Sequence, residues 1–450
     1  MRYFCDLHLH SKYSRAVSQS MILPVMAQWG KKKGLDVLTT GDFTHPLWFR
    51  HIQEVLKEEK EGFFSLKNSK DSPLFVLSTE ISSIYTQGGK ARRIHNLIFS
   101  PSLQIAEKLN KELQRRAFNL ASDGRPIIGL SSKNLLELVL SIDKNAFLIP
   151  CHAWTPWFSL YGSMSGFDSI EECFGEYSKY IFGIETGLSS DPEMNWRIKE
   201  LDKRSIVSFS DAHSPAKMGR EATVFELEEP TFKNLRRAII GPSLKENWDK
   251  LPDRVAFTIE FYPEEGKYHY TGHRNCQISQ SPDETKKDGA ICPVCKRPLT
   301  VGVMHRVEQL ANQKVREEIK TDEFGVKWSY DPTGNHPPFV KLVPLIEIVA
   351  ESLSMTVASQ KVKTVFDEVC AKLGSEIEIL FKVPIPEISK AAGERIAEGI
   401  AKVRSGDIVI KPGFDGQYGV VKIWNENSDK SAEEASLASQ SSKDQLGLDF

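Results

Sequence analysis

Tyr3-Phe4-Cys5-Asp6-Leu7-His8-Leu9-His10 opens this 450-residue chain with a short β-favouring run ending in two histidines spaced by two. On a strand, that spacing puts both imidazoles on one face. The pattern repeats downstream. Asp42 and His45 follow a β-rich run at 36–40, and Glu80 follows one at 74–77. His95 begins a run at 94–99, His152 follows one at 147–150, and Asp211 and His213, again two apart, end a run at 206–209. Further runs at 127–130 and 181–184, with helical stretches such as 103–121 and 135–142, bring the count to seven or eight β/α units. Such units predict a (β/α) barrel with its chemistry at the strand C-termini.

The residue types at those positions are informative. Seven of the eleven histidines lie in the first 240 residues, six of them at a strand edge, with carboxylates interleaved. Imidazole and carboxylate donors suit zinc, manganese or iron, and no cysteine competes in these motifs. A carboxylate can bridge two cations, which makes Glu80 the natural shared ligand. Bridged cations acidify a bound water and neutralise charge on a phosphoryl group under attack, so His8, His10, Glu80 and Asp211 are the candidate catalytic residues.

At this length two to four folding units are expected. Hydrophobic residues at 40% and charged residues at 26% describe an ordinary soluble chain. The longest apolar runs, 146–150 and 342–346, are far too short to span a bilayer, and the N-terminus lacks a signal-type apolar stretch, so a cytoplasmic protein without membrane partners is expected. The net charge of −2 conceals an acidic end: from Glu426 onward six acids face two lysines, leaving the rest slightly positive. That balance is compatible with a local basic groove. Of seven cysteines, Cys276, Cys292 and Cys295 cluster, which reads as one metal site among reduced thiols and not as a disulfide framework.

The ordered series His8-Leu9-His10, Asp42, Glu80, His95, His152 and Asp211-Ala212-His213 resembles the motif order of the polymerase-and-histidinol-phosphatase (PHP) family. The resemblance implies an α/β fold, a distorted (β/α)7 barrel that binds up to three divalent ions (Zn, Mn or Mg) and hydrolyses phosphoesters. It implies one ion on His8, His10, Glu80 and Asp211, a second on Glu80, His95 and His152, and a third near His213. The third position departs from the family pattern: Ser14 and Arg15 stand where another histidine is usual, and Gly41-Asp42-Phe43 replaces Thr-Asp-His. Asp42 and His45 are the candidate substitutes.

Longer blocks narrow the resemblance. His8 to Arg15, Gly41 to Pro46, Glu185 to Asn195, Ser210 to Pro215 and Lys267 to Arg274 are similar to the endonuclease Q family of DNA repair enzymes, along nearly the whole length to about Ile423. That implies incision 5′ of uracil, hypoxanthine, xanthine or an abasic site. Enzymes that read a damaged base usually unstack it into a pocket. Trp154 and Trp157, with Phe158 and Tyr161, follow ligand His152 and are candidates to stack on a base, with core packing as the alternative. Ser189, Ser190 and Asn195 are candidates to bond its edge. Arg92-Arg93, Arg115-Arg116 and the lysines at 31–33 are candidate phosphate contacts, or simply solvated faces.

Cys292-x-x-Cys295, with fifteen residues between it and Cys276, forms one arm of a structural zinc site, and zinc needs four ligands. His273 completes the set as His-x-x-Cys, with His269 as the alternative. The terminal Gln445-Leu446-Gly447-Leu448-Asp449-Phe450 resembles the peptide that bacterial proteins insert into the β sliding clamp, with Gln445, Leu446, Leu448 and Phe450 as its contacts. The expected organisation is a catalytic barrel at 1–245, a zinc module at 256–300, a helical region at 301–403, a β-hairpin region at 404–424, a disordered linker at 425–444 and the clamp peptide at 445–450. The rival readings are a PHP-type phosphatase for a small phosphomonoester and a non-catalytic nucleic-acid-binding protein.

Overall fold

The computed structural model describes residues 1–69, 71–244 and 248–425; the linker from 426 onward and the clamp peptide lie outside the described residues. The first strand, Arg2–Asp6, runs parallel to Val37–Thr39 and antiparallel to Ala222–Glu226. Val37–Thr39 is in turn parallel to Leu74–Gln87. Lys90–Ser100 pairs antiparallel with both Leu74–Gln87 and Phe147–Pro150. Gly183–Glu185 and Ser205–Val207 form a separate parallel pair. Hydrogen bonds fasten this pair at both edges. Ala153 N–H donates to the Glu185 carbonyl at 3.0 Å, and Ser208 N–H donates to Thr223 Oγ1 at 2.9 Å. Cys5, Val37, Val76, Leu97, Ile149 and Val207, one from each of six strands, pack into a single buried cluster inside this ring. A larger apolar core joins the strands to the surrounding helices.

The α/β class and the helical C-terminal region are as expected, but the simple β/α alternation is not. Leu74–Gln87 and Lys90–Ser100 make one long hairpin, because Gly88 and Gly89 both take positive φ (59° and 72°) in the two-residue turn between them. No helix fits in so short a connection. The ring also continues past residue 245: Arg254–Glu260 pairs with Ala222–Glu226, and Phe339–Lys341, Lys327–Tyr330 and Glu318–Thr321 extend the same sheet. The region expected to be helical at 301–403 thus begins with the short helix Val303–Leu310 and then contains three strands. These strands are three or four residues long, and Glu318–Thr321 is exposed throughout, so no alternation marked them.

Thr271–His273 and Ile278–Gln280 form a small hairpin in the Cys-rich segment, followed by the helix Pro282–Asp288 with a Ser281/Glu284 capping box. Helices Leu345–Ser352, Gln360–Leu373, Glu376–Phe381, Ile385–Ala392 and Glu394–Ser405 follow, the last two separated at Gly393. Val409–Lys411 and Val420–Lys422 pair as the C-terminal hairpin. Among the described residues no helix is long and apolar enough to cross a membrane.

Candidate metal centre and adjoining cavity

His8, His10, Glu80 and Asp211 converge at one end of the ring, with one ligand atom from each within 4.8 Å of the others. His10 Nε2 lies 3.1 Å from Glu80 Oε2 and 3.0 Å from Asp211 Oδ1, while His8 Nε2 lies 3.6 and 3.7 Å from the same oxygens. Tetrahedral ligands at zinc-like bond lengths stand roughly 3.4 Å apart, so the spacing fits a cation. His8 Nε2, His10 Nε2 and Asp211 Oδ1 are buried without a hydrogen-bond partner, as metal donors would be. On the other oxygen of Glu80, His95 Nδ1 approaches Oε1 to 2.5 Å and His152 Nε2 to 3.2 Å, and these two nitrogens are 3.3 Å apart. Glu80 thus offers one oxygen to each group, which is the geometry of a bridge.

Second partners fix the ring orientations. Both oxygens of Glu185 take His8 Nδ1, at 2.9 and 3.0 Å, and Glu185 also accepts the His152 N–H at 2.9 Å. Asp42 takes His10 Nδ1 at 3.0 Å, leaving each Nε2 bare for a metal. Backbone strain gathers in the same place: Asp42, His152, Phe158 and Asp211 all have positive φ. Gly187 (φ 61°) is required beside them, since a Cβ there would lie 2.4 Å from His152 Cβ. Burial opposes ionisation of Glu80, yet its neighbours His95 and Arg125 hold its carboxyl well below the usual range. Burial pushes the His95 imidazole down to about 4, keeping it a neutral donor at neutral pH.

The expected third position is not assembled in this way. Asp42 is occupied: besides His10 it accepts from Ser11 N–H (2.6 Å), Ser11 Oγ (2.7 Å) and Ser14 Oγ (2.8 Å). His45 stacks on Tyr13 at 4.3 Å, and His213 Nδ1 turns to the Asp211 carbonyl at 2.7 Å. The structure places Asp42 against His10, whose ring it orients, and brings none of Asp42, His45 and His213 into a ligand cluster among the described residues.

A cavity of about 560 Å³ opens against this centre, lined by His95, His152 and Asp211 together with Trp157, Phe158, Ser189, Tyr268 and Tyr418. Arg93, Arg125 and Lys267 give it positive charge. A larger cavity, about 820 Å³, lies between Phe4 and Phe381 and touches none of the candidate ligands. Of the residues expected to meet a base, Trp157, Phe158 and Ser189 line the smaller cavity, and the Ser189 hydroxyl is buried without a partner. The others do not. Trp154 is fully buried, stacks on Tyr161 at 4.6 Å and donates to Asn195 Oδ1 at 2.7 Å. Asn195 in turn donates to Ser190 Oγ at 3.3 Å. Trp154, Ser190 and Asn195 are thus an internal network with no surface for a base. Lys33 and Arg92 are likewise committed, to Glu376 and to the Gly166 carbonyl, while Arg115 and Arg116 pair with Glu112.

Residue types alone did not reveal Arg125, whose Nη1 lies 3.1 Å from Glu80 Oε2, nor Lys267, Tyr268 and Tyr418 as cavity walls. Glu185 carried a faint signal, since it ends a β run as the other acids do.

In the Cys-rich segment, His273, Cys276, Cys292 and Cys295 place their ligand atoms within 4.8 Å of one another, with Cys295 Sγ 3.4 Å from His273 Nδ1. Burial would raise the Cys292 thiol, but hydrogen bonds from the Cys295 backbone and His273 prevail and hold it down at about 6. His269, the alternative fourth ligand, is buried against Tyr270 and outside the cluster.

Residues 344–407 match the family model described as the MJ0043 C-terminal domain. The chain is 32% identical over 293 residues to the uncharacterized protein MJ0043 of Methanocaldococcus jannaschii, covering 64% of the chain and about a third of that relative's length. It superposes over 95% of its length on the crystal structure of the lesion-specific endonuclease PfuEndoQ from Pyrococcus furiosus, with 30% identity, a TM-score of 0.77 and 96% of that chain covered. It superposes equally on endonuclease Q in complex with a 27-mer duplex substrate bearing an abasic lesion at the active site, with 31% identity, a TM-score of 0.78 and coverage of 95% and 98%.

Proposed function

Since the chain belongs to the endonuclease Q family, we propose that it is a metal-dependent DNA repair endonuclease that cuts the phosphodiester 5′ of a deaminated base or an abasic site. The observation that carries this reading is the junction of the two ligand groups on Glu80 with an aromatic, positively charged cavity. His8, His10, Glu80 and Asp211 would hold one divalent ion (Zn, Mn or Mg), and Glu80, His95 and His152 a second. Ions bound there supply an acidified water and neutralise charge on the phosphoryl group. Glu185 and Asp42 keep the two imidazoles aimed. Arg125, whose guanidinium carries donors only and already reaches Glu80, would meet a phosphate oxygen beside them.

Deamination replaces an amino group by a carbonyl. Arg93 and Lys267 carry donors only, which match a carbonyl edge and mismatch an amino group. His273, Cys276, Cys292 and Cys295 would hold a structural zinc, because four protein ligands leave no position for water. The peptide Gln445–Phe450 would tether the enzyme to a bacterial β clamp, and its deletion should leave incision of free oligonucleotides unchanged. The phosphatase reading gives no role to the cavity walls contributed by Tyr268 and Tyr418, far downstream of the barrel ligands.

The test uses end-labelled duplexes with one deoxyuridine, deoxyinosine, abasic site or no lesion, alongside p-nitrophenyl phosphate. A metal-dependent nick 5′ of the lesion is expected, leaving a 3′-hydroxyl and a 5′-phosphate with the lesion retained. Release of free uracil, or cutting that ignores the lesion, overturns the reading.

A further inference from the structure

Tyr418 is the most exposed large aromatic side chain of the cavity wall, with 68% of its surface accessible. It lies in the turn of the C-terminal hairpin, and that turn is firmly fastened. Gly416 N–H donates to the Lys267 carbonyl and Gly419 N–H to the Glu265 carbonyl, each at 2.9 Å. Asp415 accepts from Arg274 N–H at 2.7 Å and from Thr300 Oγ1 at 2.6 Å, which ties the turn to the Cys-rich segment. A loose turn would explain an exposed ring; a fastened one presents it. Beside it, Lys267 Nζ sits 4.4 Å from the ring centre, and Tyr268 packs edge-to-face on Trp157 at 5.4 Å. The cavity therefore has an aromatic surface held open next to the metal ligands, within the size range of small-molecule sites.

We propose that Tyr418 is a specificity-determining residue that stacks on the extruded damaged base, so that the C-terminal hairpin takes part in lesion recognition. This rests on the endonuclease reading above and deepens it. Aromatic faces stack on any base, and loss of one such contact weakens binding on the order of tenfold. An abasic site has no base to stack. The ring should thus matter for uracil and hypoxanthine and be idle for an abasic lesion, a difference that a merely structural role would not produce.

The experiment compares wild type, Tyr418→Ala and Tyr418→Phe on duplexes bearing deoxyuridine, deoxyinosine or an abasic site, with kcat and KM measured for each. Tyr418→Ala should lose about tenfold or more in kcat/KM on the two base lesions while staying within about twofold of wild type on the abasic duplex. Tyr418→Phe, which keeps the ring, should match wild type on all three. If wild type cuts all three and Tyr418→Ala changes them by equal factors, or not at all, the stacking role is overturned and the endonuclease reading stands. If wild type leaves every lesion intact, both fall.

Discussion

The two ligand clusters of this protein are built in opposite ways. The barrel centre draws six donors from five separate segments between residues 8 and 211, and His8, His10 and Glu80 are almost fully buried. Each of the first two imidazoles has its own acidic partner, Glu185 or Asp42. The Cys-rich centre takes four donors from residues 273–295, with Cys295 exposed and a three-residue-per-strand hairpin as its main scaffold. In the barrel, a large apolar core makes the fold and the fold makes the site. In the small module there is little apolar interior, so a bound ion would supply much of the folding energy. One centre depends on its surroundings, and the other, with an ion bound, would hold its own surroundings together.

That contrast is sharpest in what ligand removal should do. Asp211→Ala or Glu80→Ala should lower incision by more than about a hundredfold, beyond the 10–100-fold typical of changes to outer partners, while the melting temperature stays nearly constant. Single-turnover incision with metal analysis checks this, and the module's ion should remain bound in both variants. Retention of a tenth of wild-type cleavage would remove these residues from the centre.

Cys292→Ser should do the reverse. Metal content should fall at the module alone, the melting temperature should drop by several degrees, and cleavage should decline less than in the barrel variants. Because Asp415 links the module to the turn carrying Tyr418, the decline should be larger on base lesions than on an abasic duplex. An unchanged melting curve would mean that the segment holds itself together without an ion.

The smallest effect separates the regions by pH. Glu260 is fully buried beneath the barrel centre, where burial, with Asp191 adding to it, raises its carboxyl to about 8. A group that holds its proton more tightly in the folded state stabilises the fold fully below its unfolded value, near 4.3, and loses that contribution as pH rises toward about 8. Metal-free wild type should therefore lose stability across that window, and Glu260→Gln should flatten the decline. Denaturant melts at pH 5 and pH 8 decide it; equal slopes in the two proteins would show that Glu260 is ionised in the fold.

The ligands themselves were legible because each lies within or just beyond a β-rich run, and the two-residue spacing of His8 and His10 brings both imidazoles to the same centre. Cys276, Cys292, Cys295 and His273 were legible because short loops bring close residues together whatever surrounds them. The same local logic misjudged Trp154 and Asn195: adjacency to His152 and a polar side chain do not say which way a residue faces, and packing turned both inward. Nor does it tell whether Asp42 binds a cation or orients an imidazole, since the same residue type does both.

By itself, then, the sequence determined the element types around the barrel ligands and the donor chemistry, properties set by backbone periodicity and side-chain identity over a few residues. Only the tertiary structure decided which acids stand behind the histidines, that Glu80 lends one oxygen to each ligand group, and that Tyr268 and Tyr418 close the cavity. His8 and Glu185 are 177 residues apart, and no local period connects them. Their meeting follows from how the whole ring packs, a property of the assembled core and of no segment within it.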